Sequence, residues 1–226
     1  MKLSEEMKNK TLLSFELFPP KTEKGLQNLP GTIDHLMKYN PSYISCTYGA
    51  GGGNVGANRE VCQMIKNAGT TPVTHFTVIK NTKEGIKEQL DQYLADGVDH
   101  MLALRGDIPL GETTTCGDFD YATDLVKFVR DTYGDKFEIA VAGSPEGHIS
   151  CRSLESDIAV LKQKQDNGAD YIMTQLCWDM EQFKYWLDAI RKAGITMPVD
   201  VGVMPILDQA ATINMALSRN VCVMDR

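Results

Sequence analysis

The sequence lacks several features that would assign it to a particular class of protein. It has no apolar run long enough to span a bilayer, and its first residues, MKLSEEMKNK, contain no apolar segment of the kind that a secretory signal needs. It also has no block of Lys or Arg, and its net charge is -7. Because nucleic acids and anionic membranes bind basic surfaces, we expect neither as a partner, and we expect a cytoplasmic protein.

Paired cysteines and metal-binding clusters are also missing from the sequence. The six cysteines form no CxxC pair and show no spacing typical of metal ligands. In a chain that we expect to be cytoplasmic, free thiols are a better interpretation than disulfides. No cluster of Asp and His suggests a metal site either. We therefore expect neither disulfides nor a bound metal.

What the sequence does have is a regular alternation of strand-like and helix-like segments. Short apolar or β-branched runs recur at intervals of roughly thirty residues, the length of one βα unit, at Leu12–Phe18, Tyr43–Tyr48, Val73–Ile79, Met101–Leu104, Phe137–Ala142, Tyr171–Leu176 and Val199–Met204. Segments with apolar residues at helical spacing lie at Asn58–Asn67, Lys83–Leu94, Tyr121–Asp131, Leu154–Gln165, Met180–Lys192 and Asp208–Arg219. Several are followed by a glycine suited to a left-handed C-cap, namely Gly69, Gly97, Gly168 and Gly194.

This alternation predicts an α/β fold in which helices flank a parallel sheet. Units of even length favour a (β/α)8 TIM-type barrel over an open doubly wound sheet, and no GxGxxG follows the first strand as it would in a Rossmann fold. No linker or low-complexity stretch divides the chain, so we expect residues 1–226 to form a single domain. By pattern alone, Val221–Met224 could be a short eighth strand.

Polar residues stand at the carboxyl ends of the predicted strands, where barrels of this type carry their active sites. Glu16 is the most distinctive, because it lies inside an apolar run. An ionised carboxylate is costly in such a place, so its pKa should rise, and a raised pKa suits a general acid. The alternative is a structural ion pair with a basic residue on a neighbouring strand. The residues alone leave both interpretations open.

The other strand ends carry weaker signals. Asp107 could orient a polar heterocycle by accepting hydrogen bonds, or it could form a turn. The glycine run Gly49–Gly53 suggests a phosphate cradle, but it lacks the Lys-Ser/Thr of a P-loop and a flexible loop is the simpler interpretation. His75 and His148 are isolated, as structural histidines usually are. Gln175 could pair with a pterin-like ring edge or make an ordinary hydrogen bond.

Eight segments, in order along nearly the whole chain, resemble the methylenetetrahydrofolate reductase family: FELFPPK, TYGAGG, THFT, ALRGD, DYATDLV, SPEGH, NGADYIMTQ and VGVMPI. The resemblance implies a (β/α)8 barrel that binds FAD at the carboxyl ends of its strands. It implies reduction of 5,10-methylenetetrahydrofolate to 5-methyltetrahydrofolate, with NADH or NADPH as co-substrate. A small-molecule folate partner and a homo-oligomer are also implied.

The resemblance assigns roles to individual residues. Glu16 matches a catalytic glutamate that promotes opening of the folate's five-membered ring, and Asp107 matches a catalytic aspartate near both flavin and pterin. Gln175 matches a glutamine that contacts the folate and the nicotinamide, so Glu16, Asp107 and Gln175 are the expected substrate-binding residues. The expected FAD-contact positions are Thr47, Tyr48, Ala50, His75, Arg105, Gly106, Asp107, Tyr121, Ala122, His148, Asp157 and Lys164.

The resemblance also bears on the end of the chain. In the family, the segment similar to Asn220–Met224 precedes a further helical stretch and a last strand, so we expect a barrel that lacks its last βα unit. The leading hypothesis is an FAD-dependent folate reductase. The alternative is a truncated barrel that binds flavin and is non-catalytic or depends on a partner subunit. A different barrel enzyme, such as an aldolase or a pterin-binding transferase, is disfavoured because no Lys lies convincingly at a strand end.

Overall fold

The computed structural model describes residues 2–20, 22–48, 55–108, 111–148, 151, 153–204, 206 and 208–218. In this part of the chain, seven parallel strands form one sheet whose strand order follows the chain order. The strands are β1 (Ser14–Leu17), β2 (Tyr43–Cys46), β3 (Thr71–Thr77), β4 (His100–Leu104), β5 (Glu138–Gly143), β6 (Tyr171–Thr174) and β7 (Val199–Asp200). The helices are α1 (Leu3–Met7), α2 (Glu23–Met37), α3 (Val55–Asn67), α4 (Lys83–Ala95), α5 (Ala122–Tyr133), α6 (Leu154–Asp166), α7 (Met180–Lys192) and α8 (Gln209–Ser218), with a single 3-10 turn at Gly134–Lys136.

The sheet curls until its two ends approach each other. Four strands separate β2 from β7 in the sheet order, yet Tyr43 of β2 donates a hydrogen bond to Asp200 of β7. The hydroxyl of Ser14 on β1 lies 3.3 Å from the same carboxylate. Among the described residues no strand ladder joins β1 to β7, so these side chains connect the two ends. A parallel sheet curled in this way, with helices outside, confirms the predicted barrel class.

Alternating side chains build two separate cores on the two faces of this sheet. The inner cluster lies inside the curl and consists of Leu3, Tyr43, Val73, Leu102, Ala140 and Tyr171. Intervening strand residues, such as Ile44 and Phe76, pack outward against the helices. Burial of each such large apolar side chain contributes about 1.5–3 kcal/mol, so the outer layer supplies most of the apolar stabilisation.

Helix α1 closes the interior at the amino-terminal ends of the strands. Its residue Leu3 is 2% exposed and belongs to the inner cluster. The Glu138 carboxylate on β5 accepts hydrogen bonds from the backbone N–H groups of Leu3 and Ser4, both at 2.7 Å, and from the Ser4 hydroxyl. Nε2 of His100 lies 2.9 Å from the same carboxylate as an ion pair, without the alignment of a hydrogen bond. These contacts form the floor of the barrel.

The two charged groups of this floor stabilise each other's charged forms. Burial alone would raise the pKa of Glu138, but the contacts with His100, Ser4 and Leu3 outweigh it and lower the pKa to about 2. Burial alone would lower the pKa of His100, but the carboxylates of Asp99 and Glu138 raise it to about 9. Both groups are therefore charged at neutral pH, and the buried carboxylate has the oppositely charged partner that it needs.

Most elements lie where the sequence predicts them, and two observed helices were not predicted. Each predicted strand overlaps an observed one, although β7 ends at Asp200 rather than at Met204. The four predicted C-cap glycines have positive φ angles between 69° and 105°. Sequence patterns do not predict α1, which is short, or α2, which contains Pro30. Proline disfavours a helix interior, but α2 offsets this cost by burying Leu29 and Ile33 against the sheet.

Three other expectations concern features beyond secondary structure. The predicted segment Val221–Met224 lies outside the described residues. The five cysteines that the structure does describe are free thiols. In the same part of the chain, no helix is long and apolar enough to cross a membrane, and no group of three or more potential ligands could hold a metal ion.

We expect Tyr43→Phe to lower the free energy of unfolding by about 1–3 kcal/mol, because it removes the hydrogen bond that Tyr43 donates to Asp200 and leaves this carboxylate less satisfied. Urea denaturation measures the change. Tyr39→Phe is the control, because Tyr39 is 60% exposed and a substitution at such a site changes stability by no more than about 0.5 kcal/mol. Equal effects of the two variants would contradict the connecting role of Tyr43.

We expect His100→Gln to flatten the pH dependence of stability on the alkaline side. The pKa of His100 rises from 6.5 to about 9 on folding, so the stability that its charge adds is complete below pH 6.5 and is lost as the pH rises through 9. The expected loss is about 1–3 kcal/mol. Urea denaturation across this range measures it in both proteins.

The acid side of the same profile serves as the control. The pKa of Glu138 falls from 4.5 to about 2 on folding, so its contribution is present above pH 4.5 and is lost as the pH falls towards 2. His100→Gln should retain part of this acid loss, because the N–H groups of Leu3 and Ser4 still bind the carboxylate. Identical alkaline slopes in the wild type and the variant would refute the assignment.

Candidate functional site

The carboxyl ends of the strands form the end of the barrel opposite α1. Strand register aligns them, since Leu17 pairs with Cys46, Cys46 with Thr74, and Thr77 with Leu104. All strands are parallel, so the polar residues that follow each strand gather at this one end. The sequence-predicted site residues that the structure describes lie on or after these strand ends, or on the helices that follow them.

Strand β3 contributes an uncharged polar surface to this end. Val73 faces the interior as part of the inner cluster, so strand alternation directs His75 and Thr77 to the same side. Both are buried, and among the described residues His75 Nε2 and Thr77 Oγ1 have no hydrogen-bond partner. Burial lowers the pKa of His75 to about 4, so the imidazole is neutral at physiological pH.

The chain after β4 passes very close to β3. Gly106 has a φ of +88°, and a Cβ at this position would lie 3.1 Å from side-chain atoms of Ile79 and Thr77. Any other residue would be both strained and crowded here. Arg105, the residue before it, is half-buried, and its Nε lies 3.4 Å from the Gly106 carbonyl oxygen. The glycine therefore lets the backbone after β4 approach Thr77 and Ile79 closely.

Charged groups gather near the ends of β4 and β5 and on α6. Lys164 of α6 donates a hydrogen bond to the Ala142 carbonyl oxygen at 3.0 Å, and burial lowers its pKa. Asp157 of α6 accepts a hydrogen bond from the backbone N–H of His148 at 3.1 Å. Burial lowers the pKa of His148, and the positive charges of Arg105 and Lys164 lower it further against the opposing effect of Asp157. Asp157, Arg105 and Lys164 therefore all lie within electrostatic reach of His148.

The structure corrects one premise about Glu16. We expected a carboxylate buried in an apolar strand, but the Glu16 side chain is exposed. Strand β1 is an edge of the described sheet. Asp107 and Gln175 are exposed at the same end. The Gln175 side chain accepts a hydrogen bond from the backbone N–H of Leu176 at 2.9 Å.

The remaining predicted positions differ in which of their atoms a ligand in the barrel could contact. The Tyr48 ring points outward, 5.8 Å from Phe76, and its hydroxyl donates to Gln89, so only its backbone is available to a ligand in the barrel. Thr47 is half-buried at the end of β2. Tyr121 is 62% exposed and precedes α5, which begins at Ala122. The predicted position Ala50 lies outside the described residues.

Two residues near the site escaped the sequence analysis. Thr77 is the last residue of THFT, and its two-residue spacing from His75 was the available signal. Asn58 on α3 is fully buried, and its side-chain nitrogen donates to the carbonyl oxygens of Cys46 and Thr47 at 3.0 and 3.1 Å. It thereby anchors the end of β2. No sequence pattern points to Asn58, because these partners, and the hydroxyls of Thr74 and Tyr93 that donate to its side-chain oxygen, lie outside its own helix.

Comparison with known proteins supplies the family. The family model described as methylenetetrahydrofolate reductase matches residues 2–223. The chain belongs to the methylenetetrahydrofolate reductase family. Methylenetetrahydrofolate reductase (NADH) 1 of Arabidopsis thaliana is 38% identical over 219 residues, which cover 91% of this chain and 37% of that protein. The 5,10-methylenetetrahydrofolate reductase of Escherichia coli is 34% identical over 202 residues, covering 89% of this chain and 67% of that protein.

These alignments show that the chain corresponds to a part of its plant relative, since it spans little more than a third of that methylenetetrahydrofolate reductase. Among solved structures, an uncharacterized protein from Clostridium thermocellum that binds two copies of 5-methyl-5,6,7,8-tetrahydrofolic acid aligns with a TM-score of 0.72. It covers 99% of this chain and 77% of its own, at 13% identity. At that identity the likeness concerns the fold alone, and it agrees with the barrel described above.

We expect His75 to remain neutral throughout the pH range above its pKa of about 4, because its burial is not offset by a charged partner. NMR of the imidazole nitrogens measures the protonation state, and His75→Gln assigns the signal. His100, with a pKa of about 9, is the contrasting histidine in the same spectrum. A His75 signal that titrates near neutral pH would contradict the expectation.

Proposed function

We propose that the chain is a flavin-dependent reductase that converts 5,10-methylenetetrahydrofolate to 5-methyltetrahydrofolate with NADH or NADPH, and that its flavin is FAD. Family membership over residues 2–223 is the observation that carries this proposal. The names of the plant and bacterial relatives agree with the reaction, and the plant name specifies NADH. The folate bound by the structural neighbour agrees with the substrate class.

The residues at the carboxyl end of the barrel fit a bound flavin. The unpartnered polar atoms of His75 and Thr77 can pair with the amide-like edge of its ring. Because Gly106 has no Cβ, the backbone after β4 can pack against Thr77, which brings that backbone beside the polar face of β3. Arg105 and Lys164 supply positive charge for a diphosphate. On this basis we propose that FAD contacts the positions named from the family resemblance. At Tyr48, the backbone rather than the ring would make the contact.

The chain's own residues position the reactants and supply the proton. When bound, a flavin would supply the hydride-transfer chemistry between the nicotinamide and the folate. We assign Glu16 as the acid that protonates the folate nitrogen as the five-membered ring opens. Its side chain is exposed, so the bound ligands themselves must exclude water from it. Asp107 and Gln175 would orient the pterin, because a carboxylate accepts and an amide both donates and accepts hydrogen bonds.

The test separates the two half-reactions under anaerobic conditions. We expect the purified protein, supplied with FAD, to show flavin absorbance that NADH or NADPH bleaches and 5,10-methylenetetrahydrofolate restores. Glu16→Gln should leave the bleaching step within about twofold and slow the restoring step by about a hundredfold or more, because only the folate needs the acid. Stopped-flow absorbance measures both rates.

Glu88→Gln is the matched control, because Glu88 is an exposed carboxylate on the outer helix α4. It should leave both half-reactions unchanged. Absence of flavin binding in the wild type would refute the proposal. Flavin that binds but is neither reduced nor reoxidised would favour a non-catalytic, flavin-binding barrel instead. Survival of both steps in Glu16→Gln would remove the acid role from Glu16.

A further inference from the structure

Thr77 carries a buried hydroxyl that the protein does not satisfy. The residue is 6% exposed, and within the described ranges its Oγ1 has no hydrogen-bond partner. Such a group costs stability, so an unpartnered one in a native core calls for an explanation. No family resemblance at the sequence level assigned a role to this position.

The position of Thr77 is well defined by its neighbours. Its carbonyl oxygen accepts a hydrogen bond from Asn81 at 3.1 Å, Asn81 accepts one from Gln89 at 3.0 Å, and Gln89 accepts one from Tyr48 at 2.8 Å. On the other side, its Cβ stands against Gly106. The backbone is therefore held from the helix layer while the hydroxyl faces the interior.

The chemistry around this hydroxyl selects the uncharged part of a ligand. His75, the neighbour on the same face, is neutral and also presents an unpartnered nitrogen. The cations Arg105 and Lys164 belong to the chain after β4 and to α6, not to β3. A neutral hydroxyl and a neutral imidazole match the N–H and carbonyl groups of a pyrimidine-like ring edge better than a phosphate.

We propose that the Thr77 hydroxyl hydrogen-bonds the polar edge of the flavin ring and is a flavin-binding residue of this site. The inference rests on the proposed function, because it takes the flavin as the ligand. It adds a residue outside the set that the family resemblance assigns. It also explains why an unsatisfied hydroxyl is kept where an isosteric valine would fit without that cost.

Thr77→Val should weaken FAD binding by about tenfold, because the ring edge loses one hydrogen bond in a water-poor site. In the flavin-free protein, the same variant should keep or raise the urea midpoint, since the lost hydroxyl had no partner. A purely structural role would move affinity and stability in the same direction. Thr77→Ser keeps the hydroxyl and should keep FAD affinity within about threefold. Quenching of flavin fluorescence measures the dissociation constant.

Thr70→Val is the matched control on the same stretch of chain. The Thr70 hydroxyl donates to the Pro41 carbonyl oxygen at 3.0 Å, and it lies roughly 20 Å from Thr77 along the strand. This variant should lower the urea midpoint and leave FAD affinity unchanged. Wild-type affinity in Thr77→Val would overturn the inference alone, as would equal weakening in Thr77→Ser and Thr77→Val. Failure of the wild type to bind FAD would overturn the inference together with the proposed function.

Discussion

Alternation of side chains along seven parallel strands is the constraint on which the rest of this structure depends. Because successive residues face opposite sides, curling the sheet sends one set outward to the helices and encloses the other. The outward set is mostly apolar, as packing against helices requires. The enclosed set changes from apolar at the amino-terminal ends to polar at the carboxyl ends. One end of the interior can therefore be sealed while the other is available to a ligand.

Two carboxylates complete the enclosure, and each joins elements that are far apart in sequence. Glu138 bonds Ser4 across 134 residues, and Asp200 bonds Tyr43 across 157 residues. A carboxylate withdrawn from water stabilises a protein only when donors satisfy it. The buried Glu138 and the half-buried Asp200 each have at least two donors. Contacts between residues so far apart in sequence carry a large entropy cost of loop closure. They therefore add net stability only once the strands between them have paired. The contacts at the floor of the barrel and those between the two ends of the sheet therefore form only once the sheet is assembled.

The polar end of the barrel has neutral groups on one side and charged groups on another. β3 presents neutral groups, whereas the β4 end and α6 present cations with one acidic partner. A ligand with an uncharged ring and an anionic tail matches this division, as a flavin dinucleotide does. The exposure of Glu16 adds a second feature. In the proposed mechanism, the ligands that bind over Glu16 would complete its environment as an acid, which would couple proton transfer to their presence.

The sequence by itself determined the order and type of most elements. Apolar runs with β-branched residues, helical periodicity and C-cap glycines such as Gly168 are local signals, because propensity and backbone conformation act within a few residues. Strand ends also located His75 as a site candidate, whereas Arg105 and Lys164 were named from the family resemblance. Helix α2 escaped prediction because Pro30 argues locally against it, and burial of Ile33 against the sheet overrides that argument.

Only the tertiary structure decided which way the side chains face and what they meet. It turned Tyr48 into the helix layer, left Glu16 exposed, and left the Thr77 hydroxyl buried without a partner in the described chain. It also joined Glu138 to α1. These outcomes depend on burial and on contacts between segments many residues apart. Neither quantity is encoded in a local pattern, because each exists only after the sheet has curled.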